Sequence, residues 1–242
     1  MNTPLLLHNF DTYRETIPFK SISPSNIEEA IVFGMKEEKR LINEIILNPN
    51  VPTFTNTILP KTDKVLNRAT TILFNLLSAN TNDELEAVAE RVTPLMTAHS
   101  NEIIQNKELF ERVKFVYQHQ ENLNNEEKVL LKKVYESFER NGATLNDEEK
   151  QRFTEKQIEL STLTLQFNQN ILKETNEFIL HIENEEDLSG LPATAIEAAV
   201  QAAKEVGMNG WVFTLHGPSY IPFMTYADNR NLRQMIYMAK NT

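Results

Sequence analysis

Apolar side chains recur at helical spacing through most of the chain. The first such stretch runs from Ser23-Pro24, a capping serine followed by a proline suited to a first turn, to Asn48-Pro49. A second helix is predicted over about residues 57–79, with Pro60 in its first turn, where the missing N–H is not needed. Four further helices are predicted to begin at or just after polar residues that suit a helix start, namely Thr81, Asn106, Asn125 and Asn146.

The pattern changes near residue 176. Residues 178–182 and 211–215 are short β-like runs, and an alanine-rich helix is predicted between them over 194–205. This order is typical of a small βαβ unit or of a hairpin linked by a helix. Residues 228–239 form a last amphipathic segment, which predicts a helix whose packing partner is missing from the chain.

These elements predict a mainly α fold, a multi-helix N-terminal lobe with a small α/β element (two short strands around a helix) near the C-terminal end. We expect three regions: an extended N-terminal arm over 1–22, a helical domain over 23–176, and the α/β element over 177–242. The last region ends with the start of a helix that leads to a part absent from this chain. Only 6 glycines among 242 residues agree with a helical fold.

The charge and the cysteine count exclude several classes of protein. The net charge is -10, and phosphate recognition needs a surplus of Lys and Arg, so no nucleic acid and no membrane surface is expected as a partner. Without Cys there is no disulfide, thiolate zinc site or Cys nucleophile. The start of the chain does not read as a signal peptide, and no apolar run approaches the ~20 residues of a spanning helix. We therefore expect a cytoplasmic location.

The histidines do not form a known metal motif. The helical zinc motif needs two histidines one turn apart and a glutamate base. None of the histidines is followed by Glu, and no two lie within five residues of each other: they are His8, His99, His119, His181 and His216. We expect structural positions instead, with His99 on a helix surface, His119 at a helix end and His181 at an alternating strand position. Nucleophile elbows and glycine-rich phosphate loops are also missing from the sequence.

Two places near the C-terminal end are candidates for contact with a ligand. Residues 215–222, which include His216 and Tyr220, follow a predicted strand and are expected to form an ordered, peptide-facing loop. Tyr226, Arg230 and Arg233 are candidates to line a cleft. The alternative is structural, with the arginines paired to acidic neighbours or capping carbonyl groups.

Several motifs, taken in order over nearly the whole chain, resemble a known family. They are Asn2-Thr3-Pro4-Leu5-Leu6, Ile17-Pro18-Phe19-Lys20-Ser21-Ile22, Asn48-Pro49-Asn50-Val51-Pro52-Thr53-Phe54-Thr55-Asn56-Thr57-Ile58, Ser78-Ala79-Asn80-Thr81-Asn82-Asp83-Glu84-Leu85, Leu109-Phe110-Glu111-Arg112-Val113, Phe138-Glu139-Arg140-Asn141-Gly142-Ala143-Thr144-Leu145, Leu188-Ser189-Gly190-Leu191-Pro192 and Asp228-Asn229-Arg230-Asn231-Leu232-Arg233. Together they are similar to the N-terminal region of bacterial peptidyl-dipeptidases (dipeptidyl carboxypeptidases) and oligopeptidase A, in the thimet-oligopeptidase family of zinc metallopeptidases.

The resemblance implies a helical protein of two lobes around a channel that admits only short peptides. Family members carry zinc on a His-Glu-x-x-His helix of the catalytic lobe, and this sequence matches the part upstream of it. No catalytic or metal residue can therefore be carried over, and the chain is expected to hold no cofactor and to be inactive alone. The implied partners are the catalytic lobe and short peptides. The candidate channel residues are His216, Tyr220, Tyr226 and Arg230.

Two other interpretations stay open. The first is a stand-alone helical module that binds a peptide or a protein partner with the shape of that lobe. The second, an independent hydrolase, gains little from the histidine pattern. If the chain is part of a peptidase, we expect an apolar patch at Met235, Ile236 and Met238 where the catalytic lobe would sit. A homodimer of the isolated chain is one way to cover such a patch.

Overall fold

The computed structural model describes residues 5–7, 10–59, 64–120 and 122–241, and of Leu5 only the backbone. Residues 1–4 of the opening motif, His8 and Pro60 lie outside the described residues. Helices hold 75% of the described residues, and two strands form a small antiparallel sheet. The predicted fold class, mainly α with a small α/β element, is confirmed.

Six α-helices lie in the described ranges up to residue 177. They are α1 (Pro24–Ile46), α2 (Lys64–Ala79), α3 (Asp83–Ile104), α4 (Lys107–Gln118), α5 (Asn125–Arg140) and α6 (Asp147–Glu177). None of the helices in the described ranges combines the length and apolar composition that crossing a bilayer demands. Before α1, the arm includes short 3-10 turns at Tyr13–Glu15 and Phe19–Ser21.

Local polar signals set most of the helix ends. The Ser23 hydroxyl accepts a hydrogen bond from the backbone N–H of Asn26, whose side chain accepts from the Ser23 N–H, and this capping box starts α1. Asn106 caps α4, as predicted. At the end of α5, Gly142 has a φ of +92°, where the left-handed conformation that favours glycine lets the chain leave the helix.

Two predicted helix starts are wrong. Residues 54–58 belong to a separate π-helical turn, Phe54–Ile58, which ends at the non-helical Leu59, and the described part of α2 is Lys64–Ala79. The N-cap of α3 is Asn82 rather than Thr81: the Asn82 side chain accepts from the Leu85 N–H at 2.9 Å. Thr81 lies one residue too early, and its hydroxyl donates to the Glu86 carboxylate. A short polar run contains several residues able to cap, so its sequence alone does not select one.

Contacts divide the chain into two compact units, Met1–Leu165 and Gln166–Thr242. The division falls inside α6, whereas the sequence predicts a boundary near residue 176, and that boundary stays a prediction. In the first unit, one core cluster joins α1, α2 and α3 to Leu6 and Phe10 of the arm. A second cluster joins the π-helical turn to α4 and α5 through a set of buried apolar side chains that includes Phe54, Phe110 and Leu131.

Helices α1 and α2 approach each other at Gly34. A Cβ atom at this position would lie 2.7 Å from the backbone nitrogen of Leu66 and 2.7 Å from its Cβ. Only glycine permits this distance without a shift of the helices. Helix α3 is joined to α1 by a two-pronged ion pair, in which Arg91 donates to both carboxylate oxygens of Glu28 at 2.9 Å and 2.6 Å.

The second unit contains two short strands, β1 (Leu180–Ile182) and β2 (Trp211–Phe213), and helices α7 (Ala193–Glu205), α8 (Gly217–Tyr226) and α9 (Arg230–Asn241). The strands pair antiparallel, with Leu180 opposite Phe213 and Ile182 opposite Trp211. Of the two predicted arrangements, the hairpin linked by a helix is therefore correct, and the parallel βαβ unit is wrong. The core of this unit includes Phe213, Phe223 and Ile236.

Two further predictions for the second unit are wrong. The expected peptide-facing loop over 215–222 is mostly the first part of α8, because Pro218 fits the first turn of a helix without losing a hydrogen bond. Ile236 is not part of an exposed patch: it is fully buried, and Leu232 and Ala239 of the same helix pack on the same core cluster. Helix α9 thus has a packing partner within the chain. Met235 and Met238 are exposed.

Candidate functional site

The four candidate channel residues lie on or beside α8 and at the start of α9. His216 is the N-cap residue of α8 and is exposed, whereas Tyr220 packs partly against the core of the second unit. Tyr226 ends α8 with 55% of its surface exposed, and the exposed Arg230 begins α9. Within the described ranges no hydrogen bond or ion pair joins these four residues. Their contact with a peptide stays a prediction.

Arg233, in contrast, has a structural role. Its guanidinium donates to the backbone carbonyls of Ala227 and Asp228, the latter at 3.0 Å. These two carbonyls lie at the junction between α8 and α9, so Arg233 holds the turn between the helices. This is the carbonyl-capping alternative that the sequence left open.

The three other described histidines each occupy a different kind of position. His119 is the C-cap residue of α4, and its Nδ1 lies 2.8 Å from the Phe115 carbonyl oxygen. His181 is exposed in the middle of β1, with Nε2 2.6 Å from the Asn209 carbonyl oxygen. Both agree with the expected positions. The expectation for His99 is wrong: it is 6% exposed and therefore buried rather than on a helix surface.

His99 points from α3 towards α1. Its Nε2 lies 2.7 Å from Oε2 of Glu38, whose side chain is 31% exposed. Because an ionised carboxylate can only accept, Nε2 carries the proton of this hydrogen bond. The sequence contained a signal for the burial, since His99 lies three residues after Met96 and four before Ile103, in the apolar stripe of α3.

A cleft of about 590 Å³ opens beside this pair, among α1, α2 and α3 of the first unit. Its lining combines charged, polar and apolar side chains. They are Glu38 from α1, Lys64, Leu66, Asn67 and Thr70 from α2, and Met96, His99, Ser100, Ile103 and Ile104 from α3. Neither Glu38 nor Lys64 was singled out from the sequence. They are 26 positions apart, and only the packing of the helices brings them to one cleft.

The geometry of the pair does not suit acid–base catalysis. In a catalytic histidine, one ring nitrogen faces the carboxylate and the other faces the reacting group. The second nitrogen of His99, Nδ1, is buried and has no hydrogen-bond partner in the described part of the chain. Because Nδ1 is buried, it is not exposed to a hydroxyl or a water molecule in this arrangement of the cleft. What the pair can do is hold the Glu38 carboxylate in one orientation at the cleft wall.

The pKa of Glu28 is shifted at the joint between α1 and α3. The hydrogen bond from Arg91 lowers the pKa of Glu28 below its ordinary value. Among the residues that the structure describes, no group of three or more His, Cys, Asp or Glu side chains has an arrangement that could hold a metal ion.

The sequence of the chain is similar to those of known peptidases. No family model matches the chain. It is 34% identical over 229 residues to "Oligopeptidase A" of Haemophilus influenzae, a match that covers 93% of this chain and 34% of that protein. It is 31% identical over 226 residues to "Dipeptidyl carboxypeptidase" of Escherichia coli, covering 91% of this chain and 33% of that protein. A third relative, "Organellar oligopeptidase A, chloroplastic/mitochondrial" of Arabidopsis thaliana, is 27% identical over 246 residues. The chain spans about a third of the length of these curated relatives.

Proposed function

This chain is a homologue of the peptidases oligopeptidase A and dipeptidyl carboxypeptidase, and from that premise we propose that it is the N-terminal, channel-wall part of a zinc metallopeptidase that cleaves short peptides. In this role the chain selects peptides by size and contributes no catalytic group. Zinc and the attacking water belong to a catalytic lobe that this chain does not include. The chain alone is inactive.

The observation that carries the proposal is the unequal coverage of the match. More than nine-tenths of this chain aligns with the relatives, whereas about two-thirds of each relative has no counterpart in it. The sequence also contains no His-Glu-x-x-His motif, the arrangement by which a single helix binds zinc and activates water. Both facts favour a catalytic centre in the part of the enzyme that this chain does not cover.

Helix α6 offers a surface for the catalytic lobe. None of its residues is buried, although large apolar side chains recur along it every three or four positions. They are Leu160, Leu163, Phe167 and Ile171, with 59%, 54%, 64% and 49% of their surface exposed. Such a stripe of exposed apolar side chains usually marks an interface. The additional length of the relatives supports the catalytic lobe as the occupant, and a second copy of this chain is the alternative outcome of the test.

The candidate channel residues differ in what they can offer to a peptide. Tyr226 and Arg230 are exposed and lie four positions apart, so an aromatic face and a guanidinium are both available near the α8–α9 turn. His216 is also exposed, whereas Tyr220 is partly taken up by the core. We therefore place the main peptide contacts of this part on Tyr226 and Arg230.

The test is hydrolysis of a short fluorogenic peptide in the presence of zinc. It is measured for the chain alone, for the catalytic lobe of a relative such as oligopeptidase A alone, and for the mixture. We expect no hydrolysis by the chain, and hydrolysis by the mixture that exceeds that of the lobe alone. Zinc-dependent hydrolysis by the purified chain itself would overturn the proposal.

The cleft of the first unit favours a second candidate function, a stand-alone helical module that binds a peptide or a protein partner. A cleft of about 590 Å³ has the size of a small-molecule or side-chain site. Under this function the chain stays monomeric and folded, and mixing it with a catalytic lobe produces no additional hydrolysis. The same assay, combined with a measurement of molecular mass in solution, separates the two candidates.

A further inference from the structure

We propose that the cleft among α1, α2 and α3 binds a small zwitterion with an aliphatic body, of the class that includes free amino acids and short peptides. The inference goes beyond the peptidase role and does not depend on it, because all the groups concerned belong to the first unit of this chain. It rests on two opposite charges and an apolar wall that line one cleft.

Glu38 supplies a negative charge to the lining of the cleft. One of its carboxylate oxygens, Oε2, accepts from the buried His99, and the other has no partner among the described residues. His99 is 94% buried, so its ring has little freedom, and it fixes the carboxylate before any ligand arrives. A preoriented carboxylate with a free oxygen is a strong acceptor for an ammonium group.

Lys64 supplies a positive charge to the same lining. It begins α2, it is exposed, and its ammonium group makes no ion pair within the described part of the chain. Glu38 and Lys64 do not pair with each other, although they line the same cleft. A ligand that carries only an ammonium group would satisfy Glu38 and be repelled by Lys64. A ligand that carries a carboxylate as well satisfies both.

The wall of the cleft determines the body of the ligand. Leu66, Met96, Ile103 and Ile104 are each partly buried and present aliphatic surface to the cleft. Removing apolar surface from water contributes to affinity in proportion to the area buried. The Asn67 amide and the Ser100 hydroxyl lie on exposed positions of the lining, where they are able to bind a peptide group. Sites of roughly 300–1,000 Å³ with this mixture of groups hold small organic ligands.

The test compares ligands that share one aliphatic body, titrated into the full 242-residue chain and followed by calorimetry. Leucine carries both charges, 3-methylbutylamine only the ammonium group, and 4-methylpentanoate only the carboxylate. We expect leucine to bind more tightly than either analogue. Leucyl-leucine distinguishes the two kinds of ligand. If it binds more tightly than leucine, the ligand is a short peptide, and if it binds more weakly, the ligand is a free amino acid.

Substitutions test which side chain binds the ammonium group of the ligand and which binds its carboxylate. Glu38→Gln keeps an acceptor for His99 and removes the charge, so we expect leucine and the amine to bind about tenfold more weakly or worse, with the acid unaffected. Lys64→Gln is expected to weaken leucine and the acid and to spare the amine. Glu102→Gln is the matched control: Glu102 lies on α3, pairs with Lys39 and does not line the cleft.

Thermal melting followed by circular dichroism checks that each variant is folded. The proposal is overturned by equal affinity for the three ligands, by an effect of Glu102→Gln equal to that of Glu38→Gln, or by the lack of saturable binding of both leucine and leucyl-leucine.

Discussion

Ser189 and Asp228 are joined twice. The Ser189 hydroxyl donates to Oδ2 of Asp228 at 2.7 Å, and the Asp228 backbone N–H donates to the Ser189 carbonyl at 2.8 Å. The two residues are 39 positions apart, and they connect the turn before α7 to the α8–α9 junction. Between them the backbone of Gly190 passes so close that a Cβ atom there would lie 2.1 Å from the Tyr226 carbonyl oxygen.

Replacing Gly190 by Ala should destabilise the second unit by about 3 kcal/mol. The φ of Gly190 is +86°, which costs a residue with a Cβ about 1–2 kcal/mol, and the clash with a backbone carbonyl adds a cost of similar size. The measurement is urea denaturation followed by the fluorescence of Trp211, the only tryptophan of the chain, which lies in β2.

Gly207→Ala is the control for this prediction. Gly207 also has a positive φ, +73°, but a Cβ there would meet nothing within 4 Å. We expect a loss of about 1 kcal/mol from the backbone conformation alone. Equal losses in the two variants would show that the close approach at Tyr226 has no energetic role.

The burial of His99 predicts a large effect of its removal. His99→Ala leaves a cavity in the first unit and removes the donor to Glu38, and we expect a loss of about 2–4 kcal/mol in thermal or urea denaturation. The matched control is His119→Ala. His119 is exposed at the end of α4, and its removal should cost less than about 1 kcal/mol. Similar losses in both variants would contradict the burial of His99.

The ion pair between Glu28 and Arg91 predicts a dependence of stability on pH. Arg91 lowers the pKa of Glu28 in the folded chain below 4.5, its ordinary value. The folded state therefore binds this proton less readily than the unfolded state does. The resulting stability is fully present above about pH 4.5 and is lost as the pH falls through the lower, folded pKa.

Glu28→Gln tests this dependence in urea denaturation between neutral pH and about pH 3. The variant should be less stable than the parent chain at neutral pH, and the difference should shrink as the solution becomes acidic. Glu29→Gln makes the same change of charge at an exposed neighbour that has no hydrogen bond or ion pair in the described ranges. A difference for Glu28→Gln that is constant with pH, or one that Glu29→Gln reproduces, would rule out the pair as its source.

The exposed stripe of α6 predicts a substitution that affects assembly without affecting folding. Phe167 is 64% exposed, so Phe167→Ser should change the stability of the isolated chain by no more than about 0.5 kcal/mol. If the catalytic lobe covers this helix, the variant should require a higher concentration to restore peptide hydrolysis in the mixture.

Leu47→Ser is the control for Phe167→Ser. Leu47 is 79% exposed at the end of α1 and is not part of the stripe on α6. Full restoration by the Phe167 variant, or equal impairment by both variants, would place the interface elsewhere.

Some of the motifs that resemble the peptidase family stabilise the fold through hydrogen bonds to the backbone. Arg112 donates to the carbonyls of Asn48 at 2.9 Å and Asn50 at 3.3 Å, so one motif binds another. Thr53 and Asn56 form the capping box of the π-helical turn. Such signals act over a few residues or join segments through the backbone. For this reason the sequence predicted the order of the helices and most of their ends.

The cleft among α1, α2 and α3 could not be predicted from the sequence, because it depends on contacts between residues that are far apart in the chain. His99 and Glu38 are 61 positions apart, and neither belongs to a motif. Which face of α3 meets α1 depends on the packing of both helices against α2. The apolar stripe around His99 indicated burial, but its partner, Glu38, is determined by the way α3 packs against α1. The exposure of α9 was mispredicted in the same way, because its partner is the core formed by the strands and α8.

Gly34, which has no side chain, also affects the width of the cleft among α1, α2 and α3. Leu66 meets Gly34 through its backbone and its Cβ, and it is also part of the cleft lining on α2. Any larger residue at position 34 must push the first turn of α2 away from α1 and carry that lining with it. The lack of a Cβ atom at Gly34 thus allows α2 to pack close to α1, and this close packing limits the width of the cleft.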